Sequence, residues 1–111
     1  MNKYETVFIL NPVLSEEQVK ETIEKFSSLI RELKSKITHE ESWGLKKLKY
    51  SIQKKRTGFY HMFEHLSEPQ TISSLDVEFK RDERVLRWLS VKLDKHAEEY
   101  AEKRKKKVIK K

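Results

Sequence analysis

Apolar residues at Tyr4, Phe8 and Leu10 alternate with Glu5, Val7 and Ile9, so both faces of this stretch carry apolar side chains. That pattern predicts a central β-strand over Tyr4–Leu10, ended by Asn11-Pro12. The pattern then changes period. Val19, Ile23, Phe26, Ile30 and Leu33 recur at helical spacing, predicting a helix from about Ser15 to Lys34. Ser15-Glu16-Glu17-Gln18 has the form of a capping box, in which the hydroxyl accepts from a first-turn amide and Gln18 reaches back. Two glutamates in the first turn suit the helix dipole.

From Ile37 to about Gln53 a long second strand is expected. Strict period 2 puts Lys46, Leu48, Tyr50 and Ile52 on one face and Trp43, Leu45, Lys47 and Lys49 on the other. Gln53 to Gly58 supplies a polar, basic turn, and Phe59 to Leu66 a third, antiparallel strand. Ser67-Glu68-Pro69 opens a second helix with Ile72, Leu75 and Phe79 as its inner stripe, and Lys80 and Arg81 fall at its C-terminal end. Val85 to Lys92 predicts a fourth strand. The pattern fades from about Lys95. The order is β-α-β-β-α-β, an α+β, ferredoxin-like arrangement: a four-stranded antiparallel sheet with two helices on one face. A domain over residues 1–95 and a flexible basic tail over 96–111 follow. The other sheet face stays open, and apolar residues left there, Val7, Ile9, Trp43 and Leu45, are candidates for a protein interface.

Composition narrows the function. With 111 residues, 36% apolar and 39% charged, the chain suits one domain with a small core and a heavily charged surface. There is no cysteine, which excludes a disulfide framework, a thiolate metal site and a cysteine nucleophile. No stretch reaches the roughly 18 apolar residues of a membrane span, and the start is too short in apolar residues for a secretory signal. A soluble cytoplasmic protein is expected.

The net charge of +7 is unevenly placed. The last nine residues, KRKKKVIKK, hold seven bases and no acid, leaving 18 bases against 18 acids before them. Between Ser42 and Phe63 stand Lys46, Lys47, Lys49, Lys54, Lys55 and Arg56, with no carboxylate. A neutral body with a basic strip and a basic tail suits a polyanion. At about 3.3 Å per residue the strip spans on the order of 30 Å, long enough to follow several phosphates. The plainer reading is a solvated edge strand whose lysines prevent aggregation. Arg84, Arg87 and Lys92 around the fourth strand form a second candidate set, though Arg81, Asp82, Glu83 and Arg84 also suit local ion pairs. Lys3 can reach a phosphate from the first strand.

Trp43 and Trp88 are of the residue type that forms stacking platforms on RNA-recognition sheets, but the signature of such a strand is reduced to Gly58-Phe59-Tyr60. An interface anchor is the better reading of Trp43. Enzymatic chemistry finds little support. His39, His61, His65 and His96 form no metal-ligand pattern, and two glycines cannot build a phosphate-cradling loop. No cofactor and no small-molecule substrate are expected.

Over roughly residues 1–95 the chain resembles the bacterial small-subunit ribosomal protein six family. The carriers are Tyr4-Glu5, Asn11-Pro12 and the segment Trp43–Ile52, in which Gly44, Lys46, Leu48, Tyr50 and Ile52 match the family pattern. Lys49 departs from it, standing where a small residue is usual. The resemblance implies a structural role, not catalysis. It implies binding to the central domain of 16S rRNA as a heterodimer with small-subunit ribosomal protein eighteen. A standalone mRNA-binding regulator of the same fold is the alternative.

Overall fold

The computed structural model describes residues 1–52 and 54–93, without the side chains of residues 49–52. The elements run β1 (Asn2–Leu10), α1 (Glu16–Glu32), β2 (Lys36–Ile52), β3 (Lys55–Ser67), α2 (Pro69–Arg81) and β4 (Val85–Lys92). The strands form one antiparallel sheet in the order β2-β3-β1-β4, which leaves β2 and β4 as edges. This is the ferredoxin-like arrangement that the periodicity predicts. The tail over 96–111 lies outside the described residues.

Helix α1 begins where the sequence provides a cap. Ser15 Oγ accepts from the Gln18 amide at 3.2 Å, and the Ser15 amide donates to Gln18 Oε1 at 2.9 Å. The helix ends at Leu33, followed by Lys34 in the left-handed region at φ 59°. Both helices cover one face of the sheet. Phe8 and Leu10 of β1, Phe63 of β3 and Val85 of β4 meet Phe26, Ile30, Leu75 and Phe79 of the helices, all buried. The rings of Phe26 and Phe79 stack at 4.2 Å, with Phe8 at 5.7 Å and 5.2 Å from them. Burying each such ring contributes about 1.5–3 kcal/mol, so this cluster fixes both helices to the sheet.

Cross-strand partners share a face, so the register assigns every side chain. The helix side takes Tyr4, Thr6, Phe8 and Leu10 of β1, opposite His65, Phe63, His61 and Phe59 of β3. The open side carries rows across the sheet. The first is Val91, Glu5, Glu64 and His39, the second Leu89, Val7, Met62 and Glu41, the third Arg87, Ile9, Tyr60 and Gly44. A small second cluster of Ile9, Leu48 and Leu86, flanked by Tyr60, lies on this side.

Two sequence expectations are corrected here. Residues 55–58 do not belong to the turn. Ile52 pairs with Lys55, Lys54 lies in the turn with φ 64°, and Lys55 to Gly58 belong to β3. Gly58 serves close packing instead: a Cβ there would overlap Ile9 Cγ2 and lie 3.2 Å from the Leu10 carbonyl oxygen. Strict alternation along β2 also fails. The register shifts between Ser42 and Gly44, where Gly44 has φ 73°, so Trp43 occupies a bulge. Trp43 therefore does not share a face with Leu45 and Lys47.

Candidate nucleic-acid and protein interfaces

The basic strip is the distal half of the β2–β3 ribbon. Lys46 pairs with Gly58 and points to the open side, while Lys47 pairs with Thr57 and points to the other. Alternation from Gly58 places Arg56 on the open side. Lys54 sits in the loop. Lys46, Lys47, Lys54 and Arg56 are exposed and Lys55 is half-buried. Among the described residues none of these five has an ion-pair partner. The glutamates of α1 do not reach them. The side chain of Lys49 lies outside the described residues. The result is a two-sided cationic ribbon end made of flexible point charges, able to meet phosphates on either side.

The remaining candidate cations do not join it. Lys3 Nζ lies 3.6 Å from Glu64 Oε1, whose side chain is buried. Arg84 makes a two-pronged contact with Asp82, Nε to Oδ1 at 2.9 Å and Nη2 to Oδ2 at 2.7 Å. Lys25 Nζ adds a third donor at 3.0 Å. These donors, Arg84 first, hold the Asp82 carboxyl well below the usual carboxylate range against the opposing effect of its burial. Asp82 in turn raises the Arg84 guanidinium. Lys3 and Arg84 are thus committed within the protein. Arg87 and Lys92 are exposed and have no ion-pair partner among the described residues. They stand on β4, three strand spacings or about 14 Å from β2, on opposite faces.

The open face holds Val7, Ile9 and Trp43 together. Trp43 stacks on Tyr60 at 6.2 Å and donates from Nε1 to Glu41 Oε1 at 3.2 Å. Leu45 is 55% exposed, but its partner Phe59 belongs to the helix side, so Leu45 does not belong to this patch. Sequence reasoning missed two members: Leu89 is 63% and Val91 46% exposed, beside Val7 and Glu5. Period 2 along β4 carries the signal, since both alternate with Trp88 and Ser90. Val7, Ile9, Arg87, Trp88 and Leu89 line a shallow groove of about 290 Å³.

Two histidines are core residues. His65 is fully buried, bonded to Thr6 Oγ1 at 2.8 Å and Ser67 Oγ at 2.6 Å, and burial lowers its pKa to about 4. Burial also lowers His61, with Glu40 at 2.6 Å pulling the other way. No group of three or more potential metal ligands occurs among the described residues.

Comparison with known proteins agrees with this architecture. Residues 3–92 match the family model of ribosomal protein S6. The small ribosomal subunit protein bS6 of Phocaeicola vulgatus is 57% identical over 105 residues, covering 95% of this chain and 92% of that protein. The bS6 protein of Christiangramia forsetii is 54% identical over 106 residues, covering 96% and 95%. The crystal structure of 30S ribosomal protein S6 from Thermotoga maritima superposes with a TM-score of 0.80 at 23% identity, covering 99% of this chain and 98% of that one, a likeness of fold. A match over nearly the whole described domain, with identity above one half across the chain, makes this protein a member of the ribosomal protein S6 family of the small ribosomal subunit.

Proposed function

We propose that the chain is a structural, non-catalytic component of the cytoplasmic ribosome that binds the central domain of 16S rRNA together with small-subunit ribosomal protein eighteen. The observation that carries the reading is the β2–β3 ribbon end, where Lys46, Lys47, Lys54, Lys55 and Arg56 meet no carboxylate among the described residues. Cations held apart from acids are free to neutralise phosphates, and folded RNA is recognised largely through its backbone and shape. The open-face patch of Val7, Trp43, Leu89 and Val91 is the surface offered to the protein partner, with an apolar centre and a polar margin. Residues 1–95 act as the folded binding domain and 96–111 as an accessory basic tail.

The test is a filter-binding comparison on a central-domain rRNA fragment with the partner protein present. One variant combines Lys46→Gln, Lys47→Gln, Lys54→Gln and Arg56→Gln. The control removes the same charge from the helices through Lys20→Gln, Arg31→Gln, Lys80→Gln and Arg81→Gln. Affinity is expected to fall at least tenfold in the first and to change little in the second. Equal losses in both would reject the ribbon as the site.

A further inference from the structure

The basic ribbon end runs past the rest of the sheet. β1 stops at Leu10, opposite Phe59, so Lys55 to Gly58 and their partners on β2 continue as two strands. Two strands alone are marginally stable in water. Among the described side chains of this segment only Leu48 is buried, at 8% exposed. It packs with Ile9 of β1 and Leu86 of β4, flanked by Tyr60. Three features build that contact. Between the pairs Lys47–Thr57 and Ile52–Lys55, β2 has four residues where β3 has only Arg56. Between Arg87, opposite Ile9, and Val85, opposite Leu10, β4 has Leu86 as an extra residue. Bulges of this kind bend a strand and re-aim a side chain. The third feature is Gly58. A Cβ there would overlap Ile9 Cγ2 and lie 3.8 Å from Leu48 Cδ2, so the missing side chain leaves the space where Ile9 meets Leu48.

We propose that Leu48 is a positioning residue for RNA binding, a seat that fixes the direction in which the cationic ribbon leaves the sheet. The proposal rests on the RNA reading above. Lys46 and Lys47 directly precede Leu48, and Lys54 and Arg56 stand across the turn, so the backbone that carries these cations follows the seat. A ribbon held in one direction before binding avoids the ordering cost that a swinging ribbon meets on the RNA. Seat and charge therefore have separable signatures. Removing a cation removes a phosphate contact and lowers the salt dependence of binding. Removing the seat leaves every cation in place, so affinity falls while the salt dependence is kept.

The absence of cysteine permits paired spin labels. With labels at Lys54→Cys in the turn and Glu24→Cys on the exposed side of α1, the free protein should give one narrow distance distribution, and Leu48→Ala should broaden it. In label-free protein on a central-domain rRNA fragment with the partner protein present, Leu48→Ala is expected to weaken binding about tenfold at an unchanged salt slope. Leu48→Met refills the seat and should restore the narrow distribution and bring affinity to within about twofold of the parent. Leu48→Val carries the same test with a smaller truncation if the alanine variant fails to fold. Ile30→Val, a truncation in the main core, should lower stability and leave distance and affinity unchanged. A narrow distribution in Leu48→Ala overturns the proposal, as does failure of Leu48→Met to rescue. So does unchanged affinity in Leu48→Ala beside a loss in the fourfold glutamine variant of the ribbon. If that fourfold variant keeps its affinity, the RNA reading is what fails, and the distances alone decide the seat.

Discussion

Arg84 and Lys46 carry the same charge under different physical constraints. Arg84 commits two donors to Asp82, a carboxylate with 5% of its side chain exposed, while Lys46 projects from an edge strand into solvent. Removing one partner of a buried, hydrogen-bonded pair leaves the other uncompensated. Arg84→Gln is therefore expected to destabilise the fold by about 2–3 kcal/mol, read by urea denaturation, and to leave RNA affinity unchanged in the folded protein. A loss of affinity without a loss of stability would return Arg84 to the RNA site. His65 gives a pH dependence with a definite sign. Its folded pKa of about 4 lies below the ordinary 6.5, so the unfolded chain binds the proton first. The stability it contributes is complete above pH 6.5 and is lost as pH falls toward 4, by on the order of 3 kcal/mol. His61 shifts in the same direction. Denaturation midpoints between pH 7 and pH 4 check this, and His65→Gln should flatten the profile. The sequence displays Arg84 beside Asp82, Glu83 and Arg81 but not which acid it grips. That choice is made by the chain turning from α2 into β4, where the Arg84 amide also donates to Asp82 Oδ1 at 3.0 Å.

Among the elements, the β2–β3 ribbon departs furthest from its sequence pattern. Helix α1 is legible because its apolar stripe and its cap are both local signals, and the capping box forms as written. The hairpin is not, because a lysine in the left-handed region closes it and glycine is the usual mark of such a turn. Gly58 suggests a turn while serving another need, the approach of Ile9 across the ladder. Gly58→Ala is expected to cost about 1–3 kcal/mol through overpacking against Ile9, visible as a lowered thermal midpoint. Ile9→Val in the same chain should recover part of it. An unaltered midpoint would mean that β3 shifts freely beneath Ile9. The bulge at Trp43 has the same lesson. Period 2 predicts faces only while the ladder is regular, and one extra residue moves Trp43 onto Tyr60 and away from Leu45.

For the molecule as a whole, topology follows from the alternation of strand and helix periods, and the strip from the missing acids; both need only the order of residues. What the order hides is which cations are already spoken for. Lys3 faces Glu64 from another strand, Arg84 grips one of several acids beside it, Asp82, and the β4 cations stand at the far edge of the sheet. Alternation along β1 and β2 predicts an apolar open face, yet two of its most exposed apolar residues, Leu89 and Val91, come from β4, where Leu86 and Trp88 make the alternate positions apolar as well. The central claim is that the ribbon end neutralises phosphates, and the salt dependence of binding tests it most directly. Each phosphate contact contributes about 0.7–0.9 to the slope of log affinity against log salt. Removing Lys46, Lys47, Lys54 and Arg56 together should reduce the slope for a central-domain rRNA fragment by about 3. An unchanged slope, even with weakened binding, would show that these cations do not touch the RNA backbone.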